Sequence, residues 1–292
     1  MKKLICCIFL LSNITFAKPL TVILDWFVNP DHAPLIVAQQ EGYFKQEGLD
    51  VKLIPPSDSS DGPKLVAAGK ADIAITYQPQ FMLQQHEGLP LRWIATLVDQ
   101  PLDCLVVLKN GPIKTLHDLK DKRVAHVAGF STLILSTMLH HNGLSIDQVR
   151  QVAMSHGLTQ ALMAGRIDAL TGAMRNVEPY EMAVAGKSAR LFYPEKNGVP
   201  PYDELILVTN TKNANSPAIK KFVFALQEGM NYLKKHPNKS WQRFAKAYPE
   251  LNNRFNHLSW DASIPYFANN ISAFNHAKWR KFGVFLKKNG FL

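Results

Sequence analysis

Trp26, Asn29 and His32 recur at every third position in the stretch LDWFVNPDHAPLIVAQQEGYFKQEGLDV, and together they offer a flat aromatic face, an amide and an imidazole. Such a set can stack on a planar ring and hydrogen-bond its polar edge. Two plainer readings stand beside that one. A Trp after a strand commonly packs against its neighbours, and Asn-Pro-Asp is a turn and cap signature. Further along, Tyr77 ends an apolar strand pattern, Ser131 opens a helical one, Asn176 and Glu178 follow another strand pattern, and Tyr202 lies in a Pro/Gly loop. Glu178 has its own plain alternative, because an acid next to Pro179 at a helix start favours the helix dipole.

These residues need elements to hold them. Residues 20–24 alternate as a strand does, the segment Asp25 to Asp31 breaks the pattern with turn formers, and Pro34 sits where a first helical turn tolerates it. The result is strand, loop, helix, with the loop at the carboxyl end of the strand where open α/β sheets take ligands. Further strands are predicted at 51–54, 71–76, 91–97, 102–108 and 122–127, and helices at 133–141, 217–235, 240–248 and, with breaks, 261–286. LVAAGKADIA at 65–74 is echoed by LMAGRIDAL at 162–170. Two copies of one helix, Gly cap and strand unit predict two α/β lobes of related build.

The amino terminus has a basic start, an apolar core at 4–11 and the small-x-small site Thr15-Phe16-Ala17, so residues 1–17 read as a cleavable export signal. The apolar run is too short to span a bilayer. No Cys follows Ala17, so a lipid anchor is not expected. Of the three cysteines only Cys104 lies beyond the signal, which excludes an intrachain disulfide and a cysteine metal cluster in the mature chain. The formal charge of +10 becomes +8 without Lys2 and Lys3. Its basic residues are dispersed or fall on helical segments, which reads as a solvated face and predicts no nucleic-acid partner.

The strings Leu24-Asp25-Trp26-x-x-Asn29-x-x-His32, Gly42-Tyr43-Phe44-x-x-Glu47-Gly48-Leu49-Asp50-Val51 and Asn176-Val177-Glu178-Pro179-Tyr180 resemble the thiamine-pyrimidine-precursor family. That family holds periplasmic binding proteins of ABC importers and, in fungi, an enzyme that makes the same pyrimidine. The resemblance extends over residues 24–210. It implies a two-lobed α/β fold of the type II periplasmic-binding-protein class, each lobe a mixed sheet flanked by helices, with the ligand in the interlobe cleft. Lobe 1 is expected at 18–106 and 206–292, and lobe 2 at 107–205.

The same resemblance implies a small aminopyrimidine ligand, such as formylaminopyrimidine or hydroxymethylpyrimidine, captured in the periplasm by a monomer and passed to an inner-membrane permease. Trp26 would stack on the ring, Asn29, His32, Tyr77, Ser131, Asn176 and Tyr202 would add contacts, and Glu178 would meet the amino-imine edge. Gly129-Phe130-Ser131 departs from the Pro-containing turn usual in the family. No catalytic residue, cofactor or metal is expected, and the chain is predicted not to be an enzyme. The grounds are the export signal, a single mature Cys where the fungal proteins carry a cluster, and the lack of a phosphate cradle, a Gly-x-Ser-x-Gly elbow or a His-Glu-x-x-His pair. Two alternatives stand: a synthase using pyridoxal phosphate, or a binder of sulfonate, nitrate or riboflavin in which Arg175 serves an anion.

Overall fold

Ten strands form two five-stranded sheets in the computed structural model, which describes residues 19–58, 60–126, 130–154 and 156–292. The expected signal at 1–17 and Gly129 lie outside the described residues. The strands are β1 (Leu20–Ile23), β2 (Val51–Ile54), β3 (Ile73–Thr76), β4 (Leu91–Val98), β5 (Asp103–Leu108), β6 (Arg123–His126), β7 (Arg150–Ala153), β8 (Ala169–Met174), β9 (Ala189–Phe192) and β10 (Leu205–Asn210). One sheet runs β2-β1-β3-β10-β4 and the other β7-β6-β8-β5-β9. In each, three strands are parallel and the fourth is antiparallel to the third. In the second sheet that strand is β5, the first after the chain leaves β4, and in the first sheet it is β10, which returns only after β5–β9 have been laid down. The chain passes between them at 99–102 and again at 193–204.

Period-two side-chain alternation explains why the central strands are apolar throughout. In β10, Leu205 and Leu207 enter one core cluster while Ile206 and Val208 enter another on the opposite face. In β5, Leu105 and Val107 face one cluster, and Cys104 and Val106 the other. Cys104 is thus a small core residue. The edge strands β7 and β9 carry little of this pattern, since neither contains a fully buried residue.

The internal repeat has a structural reason. Gly69 and Gly165 both adopt left-handed backbone angles, φ 70° and 69°, as helix ends require. Asp72 then accepts the Thr21 N–H at 2.8 Å, and Asp168 accepts the Arg123 N–H at 2.9 Å. Each aspartate ties off an exposed backbone donor near the start of the neighbouring parallel strand.

Helix Ala33–Gln40 packs across helix Pro217–Lys235 at Gly229, where an added Cβ would lie 2.5 Å from the Ala38 Cβ and 2.8 Å from the Pro34 carbonyl oxygen. The expected helix at 261–286 divides into Arg254–Ser263 and His276–Lys288, because Pro265 lacks the N–H needed to continue the first. The second of these braces the chain crossing: Trp279 Nε1 donates to Asp203 Oδ2 at 2.7 Å and Lys278 pairs with the same carboxylate. Among the described residues no helix is long and apolar enough to cross a membrane.

Candidate functional site

Strand β1 ends at Ile23, and the chain turns through Asp25 and Trp26 into a short helical turn, Pro30–His32. Asn29 caps that turn: its side chain accepts the Asp31 N–H at 2.8 Å and donates to the Phe27 carbonyl at 3.0 Å. Its polar atoms therefore serve the loop. His32, 0 % exposed, accepts the Asn29 N–H on Nδ1 at 3.2 Å, so its ring proton sits on Nε2 and is donated to Asp25 Oδ1 at 2.9 Å. From the end of β3, Tyr77 Oη donates to the other oxygen of Asp25 at 2.8 Å. Asp25 is thus held between His32 and Tyr77. Burial works against its ionisation, but the hydrogen bonds from His32 and then Tyr77 outweigh that and leave the carboxyl below its usual range.

Strand β8 delivers the opposing group. After Met174 the chain passes Asn176 and starts helix Glu178–Val184. Glu178 Oε2 accepts the Met174 N–H at 2.6 Å, and burial pushes its carboxyl up to about 7. Asn176 Nδ2 reaches across to the first sheet, donating to Asp31 Oδ1 at 2.6 Å and to Ser263 Oγ at 2.7 Å. Trp26, 42 % exposed, leans toward His156 with ring centroids 6.2 Å apart. The two sheets therefore meet at Trp26, Asp31, Asn176 and Glu178, with the Asp25 triad behind.

Of the eight residues singled out in the sequence, Trp26, Asn29, Tyr77 and Glu178 keep some surface in or beside this meeting point. His32 and Asn176 lie beneath it as supports. Ser131 is buried at the start of helix Phe130–His141, with its Cβ 3.5 Å from where a Cβ on Gly172 of β8 would lie. Tyr202 is corrected outright. It is 1 % exposed and packs on Phe282 and Phe130 at 5.2 and 5.8 Å, so it belongs to the core and not to the mouth of the cleft. A Tyr in a Pro/Gly loop gives no hint that a helix some eighty residues later will cover it.

Asp25, Asp31 and Ser263 were missed as functional candidates. The two acids stand inside the same string as Trp26, and an acid directly after a buried strand is a usable signal. Ser263 carries none. Arg175 is already occupied: it makes a two-pronged pair with Glu195 at 2.8 and 2.9 Å, donates to the Asp103 carbonyl at 3.0 Å, and stacks over Tyr193 at 4.4 Å. No guanidinium is left there for an anion. Among the described residues no group of His, Cys, Asp and Glu could hold a metal ion. A separate open groove of about 460 Å³, lined by Arg92, Trp93, Phe224 and Gln227 among others, shares no residue with the meeting point.

Four carboxyls in or near this seam are protonated more readily when folded, among them Asp103, which burial lifts well above its usual range. Burial raises Asp31 to about 6 and Glu178 and Glu204 to about 7, whereas ordinary values are 3.8 and 4.5. The native state therefore holds protons that the unfolded chain has released, and these groups make stability fall as pH rises from about 4 to 7. Asp25 acts in the opposite sense, and only in acid. Asp31→Asn keeps an oxygen for Asn176 and Ser263 without a charge to bury. The variant is expected to match the wild type at pH 4.5 and to exceed it at pH 8 by about 1–3 kcal/mol in urea unfolding; a less stable variant at pH 8 would overturn this account of Asp31.

The profile of the NMT1/THI5-like family matches residues 29–240, more than half of the chain and all of the seam except Asp25, Trp26 and Ser263. The chain belongs to the NMT1/THI5-like family. It is 42 % identical over 281 residues, 95 % of this chain and 90 % of the other, to a Haemophilus influenzae protein whose name refers to thiamine biosynthesis. It is 26 % identical over 275 residues to a 4-amino-5-hydroxymethyl-2-methylpyrimidine phosphate synthase of Saccharomyces cerevisiae, covering 90 % of this chain and 80 % of that one. Among solved structures it is similar to the alkanesulfonate-binding protein of Xanthomonas axonopodis pv. citri, with TM-score 0.73, 16 % identity, and 94 % and 95 % of the two chains covered. At that identity the likeness shows the fold alone: a type II-like periplasmic-binding-protein fold.

The relatives also correct one expectation. The chain was predicted not to be an enzyme, yet family members from yeast and from Aspergillus parasiticus, matching 90 % or more of it, are named as synthases. Beside the export signal and the single mature Cys, the features weighed against catalysis were absences of motifs, the Gly-x-Ser-x-Gly elbow and the His-Glu-x-x-His pair, that belong to other reaction classes. Such absences say little about a family with its own chemistry.

Proposed function

We propose that the chain captures a thiamine pyrimidine precursor, an aminopyrimidine, in the cleft where its two sheets meet, as the periplasmic solute-binding component of an ABC importer. The observation that carries this reading is Glu178: a carboxyl fixed to the Met174 N–H and close enough to feel the charge of Asp31, on the same loop as the exposed Trp26. Trp26 supplies a stacking face and Glu178 recognises the amino-imine edge, which suits a flat ring with a polar rim. The two sheets support lobes at 18–106 with 206–292 and at 107–205, hinged where the chain crosses at 99–102 and 193–204. Closure on ligand shifts a pre-existing open–closed equilibrium, and the closed form is what a permease would engage. The engagement of Arg175 by Glu195 favours the aminopyrimidine over a sulfonate or nitrate.

The named synthases favour a second reading, in which the same cleft builds the pyrimidine. In that case a lysine would have to carry pyridoxal phosphate. The side chains that converge here, Asp25, Trp26, Asp31, His32, Tyr77, Asn176 and Glu178, include none, so they do not fit that group.

Calorimetric titration of the mature protein with hydroxymethylpyrimidine, formylaminopyrimidine, thiamine and taurine tests the first reading. Tight binding of a pyrimidine supports it, and binding of taurine alone removes it. A visible-absorbing Schiff base formed with pyridoxal phosphate would move the assignment to the second. In the same titration Trp26→Ala is expected to lose about 1–3 kcal/mol of affinity, the range for stacking on a base. Unfolding should barely change, because the ring is largely exposed.

A further inference from the structure

Glu178 presents its two carboxyl oxygens differently. Oε2 is anchored by the Met174 N–H at 2.6 Å, which sets the plane of the group, whereas Oε1 takes no hydrogen bond from another described residue. A 4-aminopyrimidine edge offers one donor, the amino N–H, beside one acceptor, the ring nitrogen. An ionised carboxylate offers acceptors only. The two edges match when a single proton is added to the pair, on either the ring nitrogen or the carboxyl.

On the aminopyrimidine reading above, we propose that capture of the ligand takes up one proton from solvent, which then bridges Glu178 Oε1 and the ring nitrogen. One N–H or O–H bond forms as the proton's bond to its buffer acid or hydronium breaks, and no bond between heavier atoms changes. The surroundings favour holding that proton. Asp31 faces Glu178 from the loop after β1, Asp103 and Cys104 from β5, and Glu181 from its own helix. The nearby cation Arg175 is committed to Glu195. On helix Arg254–Ser263, which packs against the Glu178 helix, the titratable residues Arg254, His257 and Asp261 are exposed, and β9 adds Arg190. Burial, with Glu181 and Asp31 adding to it, already holds the free carboxyl up to about 7.

The consequence is a ligand affinity that depends on pH with a defined slope. Near pH 6.5 the free protein carries the proton and binding needs no further one. Above about pH 8 the proton must be taken up, and Kd rises about tenfold per pH unit. The test is calorimetry with hydroxymethylpyrimidine at pH 6.5 and 8.5, each in two buffers of different ionisation heat. Uptake of about one proton at pH 8.5, read from the buffer dependence of the heat, supports the proposal. Binding at pH 8.5 that is as tight as at pH 6.5 and independent of buffer overturns it while leaving the aminopyrimidine reading standing. Glu178→Gln supplies its own N–H donor, so it should bind about tenfold more weakly at pH 6.5 and show a flat profile; a slope retained in that variant overturns the assignment to Glu178. Failure of the wild type to bind at either pH removes the aminopyrimidine reading itself and the proposal with it.

Discussion

Glu178→Ala is expected to abolish aminopyrimidine binding in a chain that still folds. Removing one member of a hydrogen-bonded charged pair in a desolvated site costs about 2–5 kcal/mol, on the order of a hundredfold or more in Kd. The folding cost is smaller. The Met174 N–H loses its acceptor, worth about 1 kcal/mol, and one acid leaves the first turn of a helix. Against that, a carboxyl that burial holds up to about 7 no longer has to be ionised inside the protein above that pH. Calorimetry with hydroxymethylpyrimidine should therefore show no heat at concentrations that saturate the wild type, while thermal unfolding stays cooperative and shifts only a few degrees. Affinity retained within a few-fold would move recognition of the ligand edge to another residue.

Gly229→Ala is expected to cause the largest loss of stability of any Gly→Ala change in the described helices. Two effects oppose each other. Ala is the better helix former by about 1 kcal/mol. The new methyl, however, would sit 2.5 Å from the Ala38 Cβ, 2.8 Å from the Ala38 Cα and 2.8 Å from the Pro34 carbonyl oxygen. Two of those three contacts are backbone of the helix Ala33–Gln40, which cannot rotate away as a long side chain could. Overpacking of this kind costs about 1–3 kcal/mol and more when backbone must move. The steric term wins, and urea unfolding should show a net loss of about 1–3 kcal/mol. Because Pro34 and Ala38 follow directly on the Pro30–His32 turn, the same variant should also weaken ligand binding through a displaced Trp26 loop. A variant as stable as the wild type would mean that the two helices can separate without penalty. The companion substitution Ala38→Gly removes the 2.5 Å contact but leaves the Ala38 Cα and the Pro34 carbonyl oxygen in place, so it should restore only part of the loss.

The two α/β units were legible in the chain because their reasons are local. Alternation marked β1, apolar runs marked β3, β4 and β5, and the Gly caps at 69 and 165 announced themselves through a residue that accepts positive φ. The strand-loop-helix at Trp26 was readable for the same reason, since turn formers interrupt the alternation within a few residues. Where burial is partial the signal fades. The edge strands β7 and β9 have one exposed or half-buried face after the other, so no period-two contrast exists to be read. Helix Gln78–His86 was hidden by its run of glutamines, whose burial depends on neighbours far away in sequence.

By itself, the sequence determined the two related α/β units and the strand-loop-helix string that holds Trp26, because each rests on spacing within a short local segment; the finer fold class came from the resemblance to the family. Only the tertiary structure decided what each polar residue does. His32 and Asn29 turned inward because Asp25 and the loop backbone needed their hydrogen bonds. Tyr202 became core because the carboxy-terminal helix lays Phe282 over it. Asn176 and Ser263 met Asp31 across 145 and 232 residues of chain. Whether a side chain faces ligand or protein depends on which distant backbone and carboxyl groups must be satisfied once water is excluded, and that is settled when the two sheets come together.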